Sequence, residues 1–405
     1  MTGFLFVVPP LTGHITPLVA VAQRLAAAGH AVVWSGEPAM IRSLAGSDAV
    51  VEPVLDRPFE PDTPGENLRG YAAVRFLWES FLVPFADATV DAVAAAALAH
   101  RVDVVVADMQ ALAGPLAADR LGLPWATSAT TSAPLRDSFT ATPKVRAWLD
   151  GLLAGLIGRH ASGLDPRTLE LSPGLVLAFT TEALVGEGAP ARIRYVGPAL
   201  TTRPGQELPY RRDAFDGRPL VVTTLGTVNG PVSGRFLAAC ADAFGLLGGR
   251  VQALVADPLD VLSGGAPPDL IAAPYLPMLD VLPRADVVIC HGGHNTVCEA
   301  LAHGVPLVIA PIRDDQPVIA AQVVDAGAGV RLRFGRATPE IIRDAVATVL
   351  AEPGYRAAAR RIRSSFDAAG SAVAAADQLL ALARDSTGAR EALGPDPVAN
   401  PLPIR

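Results

Sequence analysis

Residues 285–304, ADVVICHGGHNTVCEALAHG, decide how the chain folds. The run ending at Cys290 is apolar and rich in β-branched residues, as a buried strand requires, and Gly292 and Gly293 turn it into the helix-prone TVCEALAHG. A strand feeding a glycine turn that opens a helix leaves backbone N–H groups unpaired, with the positive pole of the helix dipole facing outward. Such an end suits an anion, a diphosphate in particular. Working outward, strand-like runs at 220–224, 251–255, near 271 and at 306–309 alternate with helix-like runs at 233–247, 295–303, 317–326 and 338–351. The first half repeats the pattern, with strands at 4–8, 31–34, 102–106 and 124–127 and helices at 17–28 and 111–121, around a mixed segment 56–100. This alternation predicts an α/β protein of two doubly wound, Rossmann-like domains with parallel sheets.

The stretch 201–219, TTRPGQELPYRRDAFDGRP, combines proline, glycine and charge between two strand signals. It is the expected linker between an N-terminal domain 1–200 and a C-terminal domain 220–364. A helical segment near 355–383 follows, and the tail 385–405, with Pro395, Pro397, Pro401 and Pro403, is expected to be irregular. Ligands in open α/β sheets bind beyond the carboxyl ends of the strands. Gly13-His14 and His291–Thr296 each follow a strand, so two facing domains would enclose a cleft between them.

At 405 residues the chain exceeds what one hydrophobic core organises. Half its residues are apolar and 18% are charged, which provides a sizeable core and excludes a disordered chain. A formal net charge of -7 gives no basic footprint for nucleic acid or an anionic membrane. Cys240, Cys290 and Cys298 lack metal-ligand spacing; Cys290 and Cys298 read as small buried hydrophobes of a reducing compartment. The N-terminal FLFVVPP has no basic region before it and reads as a strand, not a signal peptide. No purely apolar stretch reaches about 18 residues, so the cytoplasm is the expected location. The turn at Gly13 lacks G-x-G-x-x-G, which argues against a dinucleotide oxidoreductase.

The order His291-Gly292-Gly293-His294-Asn295-Thr296, Glu299, Gly304-Val305-Pro306, Pro311 and Asp315-Gln316 resembles the nucleotide-sugar signature of the family 1 glycosyltransferases. Pro9-Pro10-Leu11-Thr12-Gly13-His14-Ile15-Thr16-Pro17, followed by Gly29-His30, is similar to the opening of the same family. The likeness runs to about 385 and is most specific at 9–34 and 275–331. It implies the GT-B fold: an acceptor-binding N-terminal domain, a C-terminal domain binding the nucleotide sugar, and a last helix, 365–384, returning to the first domain.

The resemblance implies His14 as the catalytic base, a task that suits imidazole with its ordinary pKa of about 6.5. Asp108, at the end of the run 102–107, matches the aspartate that fixes such a base's tautomer and stabilises its imidazolium. Read alone, an Asp there also suits a helix N-cap, the lesser of the two readings. On the donor side the resemblance implies Thr227 as a phosphate contact and Tyr275 as the ring stacked on the pyrimidine, with the Leu276 backbone pairing with its edge. Met278 departs from the family pattern, because it stands where many relatives carry Gln. His291 and Thr296 are implied to touch the diphosphate, and Gly293, His294 and Asn295 to lie near the phosphate and sugar. Glu299 is implied to accept from ribose hydroxyls, and Asp315 and Gln316 to bind the hexose. Neither a metal nor a bound cofactor is implied, since the helix end and His291 meet the leaving diphosphate. Segments 56–90 and 129–165 follow the family least and are expected to line the acceptor pocket, although Tyr71, Trp78, Leu82 and Phe85 fall at helical spacing that favours core packing.

These expectations describe an inverting O-glycosyltransferase, monomeric or homodimeric. It would move a hexose from a nucleoside diphosphate sugar to a hydroxyl of a small lipophilic natural product such as a polyketide, macrolide or aromatic aglycone. UDP is favoured over TDP as the donor nucleotide because Glu299 is placed for both ribose hydroxyls. The alternatives are a sugar-nucleotide epimerase on the same fold and a non-catalytic transferase helper. The Gly-His-x-x-Pro opening speaks against the first, and His14 with Asp108 against the second.

Overall fold

The computed structural model describes residues 1–60, 68, 70–135, 142–160, 162–188, 190–201, 215–226 and 230–393. The first domain is built on a seven-stranded sheet in the spatial order Val51–Pro53, Ala31–Gly36, Gly3–Val7, Val104–Asp108, Trp125–Ala129, Leu175–Ala178, Ile193–Tyr195. The second is built on a six-stranded sheet in the order Leu270–Ala273, Gln252–Ala256, Leu220–Thr224, Val287–Cys290, Leu307–Ile309, Gly329–Arg331. Every strand pairing is parallel. In each sheet the chain works outward one way from its first strand, then returns to that strand's other side. Strand order therefore reverses between Gly3–Val7 and Val104–Asp108, and again between Leu220–Thr224 and Val287–Cys290. Open α/β sheets take their ligands at these switch points.

Alternation along the strands builds two cores per sheet. Leu5, Val7, Val105 and Ala107 pack with Val90 and Val93 on one face. Phe4, Phe6, Val104 and Val106 pack with Ile15, Leu18 and Leu379 on the other. In the second sheet Val222, Val288 and Cys290 face Val297 and Leu301, while Val221, Val287 and Ile289 face Phe236 and Val346.

Several elements differ from expectation. The strands Val51–Pro53, Leu175–Ala178, Ile193–Tyr195 and Gly329–Arg331 are too short to show a period in sequence. The mixed segment becomes one long helical run over Tyr71–Ala99, with a π-helical stretch Phe76–Leu82 inside it. Trp78, Leu82 and Phe85 are buried as the spacing suggests, whereas Tyr71 is half-exposed and lies edge-on to Trp148. By length and composition this run could cross a membrane, but Val83, Ala86, Val90 and Val93 lie in the first core.

The first helix spans Thr12–Ala27, so Gly13-His14 occupies its opening turn instead of a loop ahead of it. Pro17 reads in sequence as a first helical residue, because proline is favoured there. It sits inside this helix, where a proline costs about 3 kcal/mol. The C-terminal segment is two helices, Pro353–Ala369 and Ser371–Leu393, broken at Gly370 with φ 85°. The helix that returns to the first domain thus begins at Ser371, not 365, and packs Ala375, Ala376 and Leu379 beside Ile15 and Leu18. It continues to Leu393 where an irregular tail was expected from 385, because no proline interrupts it before Pro395. Residues 394–405 and most of the expected linker, 202–214, lie outside the described residues.

Candidate active site

His14 and Asp108 stand at the first sheet's switch point. The strand Gly3–Val7 leads through Pro9-Pro10 into the helix bearing His14, and Asp108 ends the adjoining strand. His14 Nδ1 lies 2.9 Å from Asp108 Oδ1. The Asp108 side chain is fully buried, and it also accepts from the Gln110 N–H at 2.8 Å and the Thr130 hydroxyl at 2.6 Å. The Gln110 contact is an Asx-type turn bond, not a helix cap, because the next helix starts at Ala113. With Nδ1–H given to Asp108, Nε2 keeps its lone pair, and the residue lines the interdomain cleft. Burial pushes the His14 pKa down. The Asp108 charge, its hydrogen bond and the charge of Asp315 outweigh that effect and hold the pKa above its ordinary 6.5.

Thr130 was not foreseen from the sequence. Its Oγ1 bridges the pair, 2.9 Å from His14 Nδ1 as well as 2.6 Å from Asp108 Oδ2. The next two residues reach the other domain: Thr131 donates to Asp315 Oδ2 at 2.5 Å, and Ser132 to Gln322 Oε1 at 2.6 Å. The one sequence signal for all three is their place directly after the strand Trp125–Ala129, neighbour to the strand of Asp108.

His291 holds the equivalent place in the second sheet. Gly292, with φ 92°, turns the chain after Cys290. The His291 ring then fits between two glycines, since a Cβ on Gly226 would come within 2.8 Å of it and one on Gly293 within 2.6 Å. Burial, and after it Arg313, push the His291 pKa down to about 4. His291 is therefore neutral at pH 7 and offers an N–H in place of a charge. The positive potential here comes from Arg313 and from helix His294–Ala302, which starts at Gly293 with no side-chain cap on its first-turn N–H groups.

The remaining sequence candidates divide. Asn295, Thr296, Asp315 and Gln316 line the cleft with His291 and Gly293. His294 lines it too, but its Nε2 points to Phe179 O at 3.4 Å and Cys298 Sγ at 3.5 Å, and burial pushes its pKa down. Asn295 Nδ2 donates to the Gly13 carbonyl at 2.9 Å. Buried Gln316 uses its Oε1 to accept from the Ile312 and Arg313 N–H groups, which shapes this loop and leaves only its Nε2 for a ligand. Glu299 lies apart, in a side pocket of about 20 Å³ with Thr16, Pro17, Phe179 and Pro198. Tyr275 is 45% exposed and Leu276 is in the core; neither lines the cleft. Thr227 lies outside the described residues.

The cleft measures about 1460 Å³. Its first-domain wall carries Phe76, Leu77, Trp78, Phe81, Met109 and Leu135, and Arg146, Glu170 and Arg192 supply polar groups beyond. Arg146 pairs with Asp150 at 2.6 Å and with Glu170 at 3.8 Å.

Residues 254–382 match the family model described as erythromycin biosynthesis protein CIII-like, C-terminal domain. The chain is 30% identical to the demethyllactenocin mycarosyltransferase of Streptomyces fradiae, an alignment covering 93% of this chain and 86% of that one. The chain belongs to the family 1 glycosyltransferases. Among solved structures, this glycosyltransferase is similar to the calicheamicin glycosyltransferase CalG4, with a TM-score of 0.77 at 26% identity over 94% and 98% of the two chains. It also resembles the spinosyn rhamnosyltransferase SpnG complexed with thymidine diphosphate, with a TM-score of 0.71 at 25% identity over 91% and 96%. The two parallel sheets facing one cleft are the GT-B architecture of these enzymes.

Proposed function

We propose that this glycosyltransferase is an inverting, metal-independent O-transferase of natural-product biosynthesis, moving a hexose from a nucleoside diphosphate sugar to a lipophilic acceptor. The observation that carries the reading is the His14–Asp108 pair on one wall of a cleft whose other wall is the open helix end after His291. His14 Nε2 takes the proton of an acceptor hydroxyl, and the oxygen attacks the anomeric carbon opposite the diphosphate. The new C–O bond forms as the old one breaks, the diphosphate leaves with the electron pair, and the anomeric configuration inverts. Asp108 stabilises the imidazolium that results. The helix end, the His291 N–H and Arg313 meet the charge on the diphosphate, which makes a metal unnecessary. Asp315 and the Nε2 of Gln316 bind sugar hydroxyls, a role supported by their place on the cleft wall.

The apolar wall from Phe76 to Leu135 fits a polyketide, macrolide or aromatic body, and Arg146, Glu170 and Arg192 suit polar substituents at its end. The mycarosyltransferase and calicheamicin relatives support an acceptor of natural-product type. Cys240, Cys290 and Cys298 are buried free thiols, which suits a reducing cytoplasm.

The test offers UDP-glucose and TDP-glucose with a panel of aglycones and reads the mass gain of one hexose. Wild type should glycosylate at least one lipophilic alcohol or phenol with inversion, and His14→Ala should lower turnover by about two to four orders of magnitude with UDP binding retained. Retained configuration, or donor epimerised without transfer, would overturn the proposal.

A further inference from the structure

Asn295 and Gly13 are joined across the cleft through an atom that a proline sets free. Asn295 Nδ2 donates to the Gly13 carbonyl at 2.9 Å. In an uninterrupted helix that carbonyl accepts from the N–H four residues on. The residue there is Pro17, which has no N–H and whose ring crowds the carbonyl it cannot bond. At the start of helix Thr12–Ala27 no side chain caps the N–H groups, and those of His14 and Ile15 turn back to the Leu11 carbonyl. The missing partner of the Gly13 carbonyl comes from the other domain.

We propose that Pro17 and Asn295 are a matched pair that sets the register of the closed cleft, and that Asn295 is a positioning residue for the base. Gly13 directly precedes His14, so the bond fixes the base against the first turn of helix His294–Ala302, where Thr296 also lines the cleft. Thr131 with Asp315 and Ser132 with Gln322 hold the domains together elsewhere. Losing the Asn295 contact therefore loosens the alignment of the two walls without parting them. The inference rests on the reading of His14 as the base. It gives Asn295 a task beyond proximity to phosphate and sugar.

The test is a double-mutant cycle in the full chain: Pro17→Ala, Asn295→Ala and both together. Urea unfolding is measured without donor, kcat with UDP-glucose and a phenol that wild type glycosylates, and UDP binding by calorimetry. Pro17→Ala restores the helix N–H, so it should raise the unfolding midpoint yet lower kcat several-fold, a combination that a purely structural proline does not give. Asn295→Ala should lower kcat about tenfold and change the UDP Kd by less than about twofold. The double variant should be no slower than Asn295→Ala alone. In unfolding, Asn295→Ala should shift the equilibrium about fivefold against folding, and hardly at all when Pro17→Ala is already present. Additive effects in both readouts overturn the pair. So does a rise of about tenfold or more in the UDP Kd at unchanged kcat, which makes Asn295 an ordinary diphosphate ligand. A protein that transfers no sugar to any acceptor overturns the functional reading instead, while the unfolding cycle still decides whether the pair exists.

Discussion

Asp108→Asn separates the charge of the proposed catalytic pair from its geometry. Asp108 Oδ1 accepts from both His14 Nδ1 and the Gln110 N–H, and Oδ2 from Thr130. An asparagine that turned its NH2 toward His14 would set two donors, its own and that of Gln110, against each other. The favoured orientation keeps the carbonyl where Oδ1 is and places the NH2 on Thr130, whose hydroxyl turns from donor to acceptor. The tautomer of His14 is thereby preserved, and what is lost is the negative charge. An N to O distance of 2.9 Å puts the charge centres about 4 Å apart, worth about 4 kcal/mol at an effective dielectric of about 20. Donation from Gln110 and Thr130 already disperses part of the carboxylate charge, so the expected loss in kcat is about two to three orders of magnitude. The assay is kcat against pH from about 5.5 to 9, with UDP-glucose and a phenol that wild type glycosylates. A base works when neutral, so wild type should lose activity as pH falls through a value above 6.5. In the variant burial acts with little opposition, the acid limb moves below 6.5, and the deficit against wild type shrinks as pH falls. A variant within a few-fold of wild type, or one whose acid limb stays in place, would refute the reasoning.

Gly293→Ala keeps an ordinary backbone, φ -63°, but sets a Cβ 2.6 Å from His291 Nε2, so the ring must move. Calorimetry should show UDP binding weakened about tenfold or more, and urea unfolding a loss of about 1–3 kcal/mol; affinity within twofold of wild type would count against a diphosphate role for His291. His291 takes a proton at about 4 in the folded protein and near 6.5 in the unfolded chain, so between these values the unfolded state binds more protons. Its contribution to stability is present above 6.5 and is lost as pH falls toward 4, by up to about 3 kcal/mol. Urea titrations at pH 7 and 4.5 should show this loss, and His291→Gln should reduce it. Glu299 lies in its side pocket and not on the cleft, so UDP-glucose and TDP-glucose should be used within about threefold of each other and Glu299→Ala should leave their ratio unchanged. Competition between matched donors measures it, and a preference for UDP of about tenfold that Glu299→Ala removes would put the ribose on Glu299.

The strand, glycine turn and helix around Cys290–Ala302 were legible because local chemistry specifies them: β-branched burial, then glycine, then a helix former. His14 was legible in the segment that follows a strand and Asp108 at the end of its neighbour, and parallel pairing of those strands brings the two within bonding distance. What stayed hidden depends on partners distant in the chain. Thr130 is an unremarkable threonine until sheet order sets Trp125–Ala129 beside Val104–Asp108. The neutrality of His291 needs Gly226 and Arg313 packed around it. Gln316 reads as a sugar ligand, yet its carbonyl oxygen turns back onto its own loop, a choice set by two unpaired N–H groups that no motif displays. Pro17 misled the helix start for the same reason, since the carbonyl it frees is satisfied from the other domain.

In the proposed transfer, positive charge forms on the base while negative charge gathers on the departing diphosphate, and the two half-sites answer these changes with opposite electrostatics. Both contain a histidine beyond the carboxyl end of a strand, and both histidines are largely buried, so burial alone would lower both pKa values. Asp108 reverses that for His14, whereas Arg313 reinforces it for His291. One ring can therefore accept a proton, and the other remains a neutral donor that does not compete for it. A carboxylate beside the base favours the positive charge that forms there, and a helix end with a guanidinium beside the diphosphate favours the negative charge that increases as it leaves. Because each domain carries just one of these halves, catalytic power depends on the register in which the domains meet, and the contacts of Asn295, Thr131 and Ser132 are the parts of the chain positioned to set it.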